Sequence, residues 1–189
     1  MIILNQELFI LRKFIVVIMV SLTLVGCNYS GEGKHDPETL QVLFLTSIPL
    51  EYSETVEDYI RDILVDEIDD GLNLEVTLAM PNFDRLTIEV MNREADMFII
   101  DGWLIPPLLD PLGLTVLDQF YEQIDPEVRA TYMTENEEGT DEHLYLVPLN
   151  EGSAFHEYTG FIVESGLAAG IVSSSPHQDV AFKLIEEWL

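Results

Sequence analysis

Short apolar runs alternate with amphipathic helical segments through the first half of the chain, and this alternation is the strongest constraint on its fold. The runs are rich in residues that favour strands, and the segments between them repeat apolar residues at a helical spacing. The order strand, helix, strand, helix, strand predicts an α/β domain, with a mostly parallel sheet flanked by helices. The five predicted elements are strand 41–47, helix 53–70, strand 72–80, helix 84–93 and strand 96–101.

The two predicted helices have recognisable ends and core-facing residues. Ser53 is predicted to be the N-cap of the first helix, and Gly71 is predicted to end it. In the second helix we expect Leu86 and Val90, together with Phe83 just before it, to face the core.

Polar and aromatic residues follow the predicted strands at their carboxyl ends, where ligands bind in open sheets of this class. Trp103 is predicted to stack on a flat ligand face, and Asp101 is predicted to accept hydrogen bonds from ligand hydroxyls. The alternatives are that Trp103 covers the core and that Asp101 caps the helix that follows. Three further residues lie at equivalent strand ends, with capping or turn formation as their alternative roles: Ser47, Tyr52 and Asn82.

The N-terminal region has the features of a secretory signal. Arg12 and Lys13 precede an apolar run, 14–24, which is shorter than the roughly 20 residues of a membrane-spanning helix. The Leu-Val-Gly-Cys sequence at 24–27 resembles the lipobox of bacterial lipoproteins, in which the cysteine is lipidated. We therefore expect a signal peptide at 1–26, lipidation at Cys27, a flexible tether at 27–40 and a domain at 41–189.

The charge of the chain excludes one class of partner. Its 8 Lys and Arg against 35 Asp and Glu give a net charge of −27. A phosphate backbone would be repelled, so the sequence argues against nucleic-acid binding. Most of the carboxylates are expected to lie on a solvated surface. The single cysteine excludes an internal disulfide.

We find no motif for a metal, a cofactor or a catalytic centre. The four histidines are scattered, and the acidic segment 66–71 lacks the ligand spacing of a calcium loop. Segment 173–175 and the nearby His177 have the residue types of a nucleophile and a base, but the pattern is typical of the turn before a helix. We expect no enzyme activity, no cofactor and no metal site.

Three segments, in this order, resemble the extracellular solute-binding proteins of ABC importers, especially the group for sugars. Residues 94–120 are similar to the family's strand with an acidic end, followed by an aromatic, a short helix and a Gly-Leu turn. Residues 141–150, DEHLYLVPLN, are similar to the stretch at the interlobe crossing. Residues 168–189 resemble the closing strand and helix of the first lobe.

The resemblance implies a periplasmic-binding-protein-like single lobe, because only residues 149–167 separate the crossing from the closing strand. It implies a lipid-anchored protein on the extracytoplasmic face of the membrane that binds a small solute weakly. An ABC permease or another membrane protein would be its partner. The alternatives are a protein-docking module at the cell surface and a degenerate remnant without transport activity.

Overall fold

The computed structural model describes residues 35–189, so the predicted signal peptide, Cys27 and most of the predicted tether lie outside the described residues. The domain contains seven strands: β1 Thr39–Leu45, β2 Asn73–Ala79, β3 Met97–Asp101, β4 Met133–Glu135, β5 Glu142–Leu144, β6 Val147–Pro148 and β7 Leu167–Ile171. Its helices are α1 Ser53–Ile63, α2 Val65–Asp69, α3 Phe83–Asn92, α4 Ile105–Leu108, α5 Ala154–Thr159 and α6 Gln178–Trp188. Strand β1 starts two residues before the predicted domain boundary at 41.

The main sheet has the strand order β2-β1-β3-β7-β6, and a separate two-stranded sheet pairs β4 with β5. Strand β1 pairs in parallel with both β2 and β3, whereas β7 is antiparallel to β3 and to β6. Four of the five strands therefore run in one direction. This confirms the predicted α/β class with a mostly parallel sheet.

The two crossovers place helices on opposite faces of the sheet. From β1 the chain passes through α1 to β2, and it then returns through α3 to β3 on the other side of β1. Because such crossovers are right-handed, opposite directions of travel put α1 and α3 on opposite faces. On the α1 face, Phe44 stacks on Phe155 with ring centroids 6.2 Å apart, and Phe155 meets Trp188 at 5.5 Å. Trp188 is fully buried in this part of the core.

Three local predictions about the helices were wrong. The first predicted helix is divided at Leu64, which lies between the end of α1 at Ile63 and the start of α2 at Val65. Ser53 is the first residue of α1, and its N-cap is Tyr52, whose side chain makes no capping hydrogen bond. Phe83 is 54 % exposed, so it does not face the core, whereas Leu86 is buried as predicted.

Candidate functional site

The carboxyl ends of β1, β2, β3 and β6 and the start of β7 lie together at one edge of the main sheet, which we call the carboxyl edge. At its centre Asp101, the last residue of β3, meets Ser47, which follows β1. Its Oδ1 accepts from the Ser47 backbone N–H at 3.0 Å, and its Oδ2 accepts from the Ser47 hydroxyl at 2.8 Å. Asp101 is only 2 % exposed. Since both carboxylate oxygens already hold protein donors, Asp101 fixes the turn after β1.

The capping alternative for Asp101 is therefore wrong. Asp101 precedes the 3₁₀ turn Gly102–Leu104 as its N-cap residue, but its side chain makes no capping hydrogen bond there. The side chain is engaged across the sheet by Ser47 instead. A ligand contact by Asp101 stays a prediction, and Ser47 is the exposed member of the pair.

Trp103 is 50 % exposed and follows Gly102, whose backbone makes a close contact with the segment before β7. The N–H of Gly102 donates to the carbonyl oxygen of Gly166 at 2.9 Å. A Cβ at Gly102 would overlap the Ser165 carbonyl oxygen and lie 3.0 Å from the Ser165 carbonyl carbon. Glycine is therefore required where β3 meets the segment that leads into β7. This contact sets the position of Trp103 at the carboxyl edge.

The two remaining candidates occupy different parts of the edge. Tyr52 packs edge-to-face against Phe161, with ring centroids 5.0 Å apart, and part of its ring is open to solvent. Asn82 caps α3, because its Oδ1 accepts from the Arg85 backbone N–H at 3.0 Å. The capping role considered for Asn82 is confirmed. Asn82 follows β2, so the end of β1 separates it from Asp101.

A cleft of about 450 Å³ opens at the carboxyl edge between the end of β6 and the start of β7. Its walls are formed by 149–151, by His156 of α5 and by 161–167. Asn150 holds the two walls together, because its Oδ1 accepts from the Leu167 N–H at 3.0 Å. The volume lies within the range of small-molecule sites, about 300–1,000 Å³. The sequence analysis did not predict this cleft, since its walls are assembled by contacts between separate segments.

Large apolar side chains stand exposed along the same edge. Two follow β1, two follow β2, one follows β3 and one precedes β7: Leu50, Tyr52, Met80, Phe83, Trp103 and Ile162. We call this set the apolar rim. Contiguous exposed apolar surface is typical of binding sites.

A second polar cluster lies at the opposite edge of the sheet, around the buried Asp96. Its carboxylate accepts from the Ser175 hydroxyl at 2.7 Å and from the Gln41 N–H at 2.7 Å. His35 lies with Nδ1 3.0 Å from Asp96 Oδ1 and Nε2 3.0 Å from the Ser174 hydroxyl. The order carboxylate, imidazole and hydroxyl is that of a serine hydrolase.

The hydrogen bonds of this cluster have a structural role in the turn before α6. The cavity beside Ser174 holds about 60 Å³, far below the roughly 300 Å³ at which small-molecule sites begin. Ser175 also accepts from the His177 N–H at 3.0 Å, which orders the turn before α6. The turn predicted at 173–175 is thereby explained. Across residues 35–189, no group of three or more His, Cys, Asp and Glu side chains is placed to hold a metal ion.

Comparisons with known proteins give a partial likeness of fold. No protein-family model matches the chain, and no curated protein is significantly similar to it. A solved structure with acarbose has 15% sequence identity and a TM-score of 0.42 over 59% of this chain and 29% of that chain. An ABC transporter solute-binding protein from Agrobacterium vitis S4, with bound D-mannitol, has 15% identity and a TM-score of 0.43. That match covers 66% of this chain and 32% of the other.

The chain thus spans about a third of the length of each of these two proteins. Similarity at this sequence identity and TM-score concerns the fold alone. Within the described part of the chain, no helix has both the length and the apolar character needed to cross a membrane.

Proposed function

We propose that the chain is a lipid-anchored, extracytoplasmic protein of the solute-binding type, whose α/β lobe binds a small solute weakly at the carboxyl edge. The observation that carries the proposal is the half-exposed Trp103 directly after the central strand β3. A tryptophan held there by a backbone contact offers a flat apolar face to a sugar or a related solute. The position agrees with the general rule that open sheets bind ligands beyond the carboxyl ends of their strands.

The expected affinity is low, because the edge supplies only one side of a binding site. Tight small-molecule sites bury most of the ligand surface in a concave pocket. The cleft of about 450 Å³ is the concave part of this edge, whereas Trp103, which does not line the cleft, is open to solvent on half of its surface. We therefore expect dissociation constants in the millimolar range, and we assign no catalytic step to the lobe.

Trp103 can be followed separately by fluorescence. The chain has two tryptophans. Trp188 is fully buried, so quenching by acrylamide reports mainly on Trp103. Sugars, polyols and oligopeptides at millimolar concentration are tested for protection from acrylamide and for a rise in melting temperature. We expect at least one class of solute to give both effects and Trp103→Leu to remove them without unfolding the domain. A panel without protection and without a melting shift contradicts solute binding.

The anchoring part of the proposal rests on the lipobox and comprises a signal peptide at 1–26, lipidation at Cys27 and a tether at 27–40. In a bacterial host, wild-type protein is expected in the membrane fraction with an acylated N-terminal cysteine. Cys27→Ser is expected to leave the precursor unprocessed and without acyl groups. Mass spectrometry of the N-terminal peptide measures both. An unmodified Cys27 in a processed protein contradicts lipid anchoring.

The apolar rim favours a second candidate function, a protein-docking module at the cell surface. The partner would be an ABC permease or another membrane protein, and its apolar surface would cover the rim. Met80 and Phe83 lie on the rim beyond the end of β2, away from the cleft. If the docking function is correct, Met80→Glu abolishes co-purification of one defined partner and leaves solute protection of Trp103 unchanged. If only solute binding is correct, no protein co-purifies in a rim-dependent way.

A further inference from the structure

The cleft between β6 and β7 carries negative charge from both of its walls. Glu151 follows β6 and Glu164 precedes β7, and both line the cleft with exposed side chains. Among the residues that line it there is no lysine or arginine, and His156 is its one further titratable side chain. The imidazole of His156 is held within the cleft wall, with Nδ1 2.9 Å from the carbonyl oxygen of Phe161.

An aromatic corner adjoins these carboxylates. Phe161 lines the cleft, and the ring of Tyr52 meets the Phe161 ring at 5.0 Å with an interplanar angle of 65°. The negative faces of aromatic rings attract cations, and quaternary ammonium groups are bound by such rings. A cation in this cleft would therefore meet one aromatic side chain, Phe161, and two carboxylates.

Charge decides between the chemical classes of small solute. An anion would be repelled by Glu151 and Glu164, and the net charge of −27 adds to that repulsion at long range. The lack of lysine and arginine in the cleft would not strengthen the binding of a neutral polyol. An ammonium group gains from both carboxylates and from the ring of Phe161.

We infer that the cleft selects small organic cations, specifically solutes with a quaternary or alkylated ammonium group. The inference rests on the proposed function, because it takes the same edge of the sheet to be a solute site. It adds the chemical class of the solute and names the residues that select it: Glu151, Glu164 and Phe161.

The test compares choline with its neutral tert-butyl isostere, in which carbon replaces nitrogen, by ligand-observed NMR on the full domain. We expect choline to bind about threefold or more tightly than the isostere. The preference is expected to shrink when salt rises from about 0.05 M to about 0.5 M. Equal binding of the two compounds overturns the inference, since they share one shape and differ in charge.

Variants locate the site. Glu151→Gln and Glu164→Gln are each expected to weaken choline binding about two- to fivefold. Phe161→Leu is expected to weaken choline more than the isostere, because only the cation gains from the ring face. The matched control is Glu157→Gln, which removes an exposed carboxylate of α5 that does not line the cleft. Choline binding that is insensitive to the two cleft variants, or equally sensitive to the control, overturns the inference.

D-Mannitol in the same experiment distinguishes failure of the cation inference from failure of the proposed function. Binding of mannitol without binding of choline overturns the cation inference and leaves the proposed function standing. Binding of neither compound, with no protection of Trp103 by any solute, contradicts both. Binding of choline with the expected variant pattern supports both.

Discussion

Replacing Gly102 by alanine tests whether the contact between β3 and the segment before β7 holds the candidate site in place. The new Cβ would overlap the carbonyl oxygen of Ser165 and lie 3.0 Å from its carbonyl carbon. The obstacle is backbone, so the segment must shift as a whole. Overpacking of this kind costs about 1–3 kcal/mol. Losing the Gly102 N–H to Gly166 hydrogen bond of 2.9 Å adds about 1 kcal/mol.

Gly102→Ala is therefore expected to lower the free energy of unfolding by about 2–4 kcal/mol. In a domain of this size that corresponds to a fall in melting temperature of about 5–15 °C. The assay is urea unfolding followed by circular dichroism, with acrylamide quenching of Trp103 measured on the folded variant. We expect quenching to change, because the residue beside the tryptophan has moved.

Gly113→Ala is the matched control for this prediction. The nearest heavy atom to a Cβ at Gly113 is a side-chain oxygen of Asp110 at 3.6 Å, an ordinary van der Waals distance. We expect a change of less than about 0.5 kcal/mol, or a small gain from the less flexible unfolded chain. If Gly102→Ala is as stable as wild type, or if the control is destabilised equally, the assigned role of the contact is wrong.

Four further substitutions probe the charges, the core and the exposed tryptophan. Asp101→Ala removes two charge-assisted hydrogen bonds and is expected to cost about 2–3 kcal/mol in urea unfolding. The hydrogen bond between Glu67 and Lys183 lowers the pKa of the carboxyl and raises the pKa of the ammonium. Its contribution, about 0.2–1 kcal/mol, is present near pH 7 and is lost as pH falls through the lowered pKa or rises through the raised one. Lys183→Met should therefore destabilise the domain near pH 7, and the difference from wild type should vanish in acid. Trp188→Ala is expected to cost about 3–5 kcal/mol, whereas Trp103→Ala should cost less than about 1 kcal/mol because its ring is half exposed.

Periodicity was sufficient to predict the layers of the fold. The apolar runs at 41–47 and 96–101 became β1 and β3, which lie side by side with both faces covered. The helical spacing of apolar residues predicted that Leu86 lies on the buried face of α3, and Leu86 is buried. The reversed direction of β7 was not predictable in the same way, because pairing across the sheet depends on a connection through 149–166 that has no periodic pattern.

The errors about side chains are concentrated at the carboxyl edge, and this distribution has physical meaning. Phe83 was expected in the core and is exposed, and the alternative role of Asp101 as a helix cap is wrong because its side chain binds Ser47. The cleft beside Glu151 was not expected at all. Local rules succeed where burial and propensity agree, and natural proteins break them where another requirement acts on the sequence. Solvation does not require an exposed phenylalanine after β2 and a half-exposed tryptophan after β3 in a chain with so many carboxylates. Exposed aromatic side chains at the carboxyl edge are what selection for binding would produce. For this reason both proposed functions are placed at that edge.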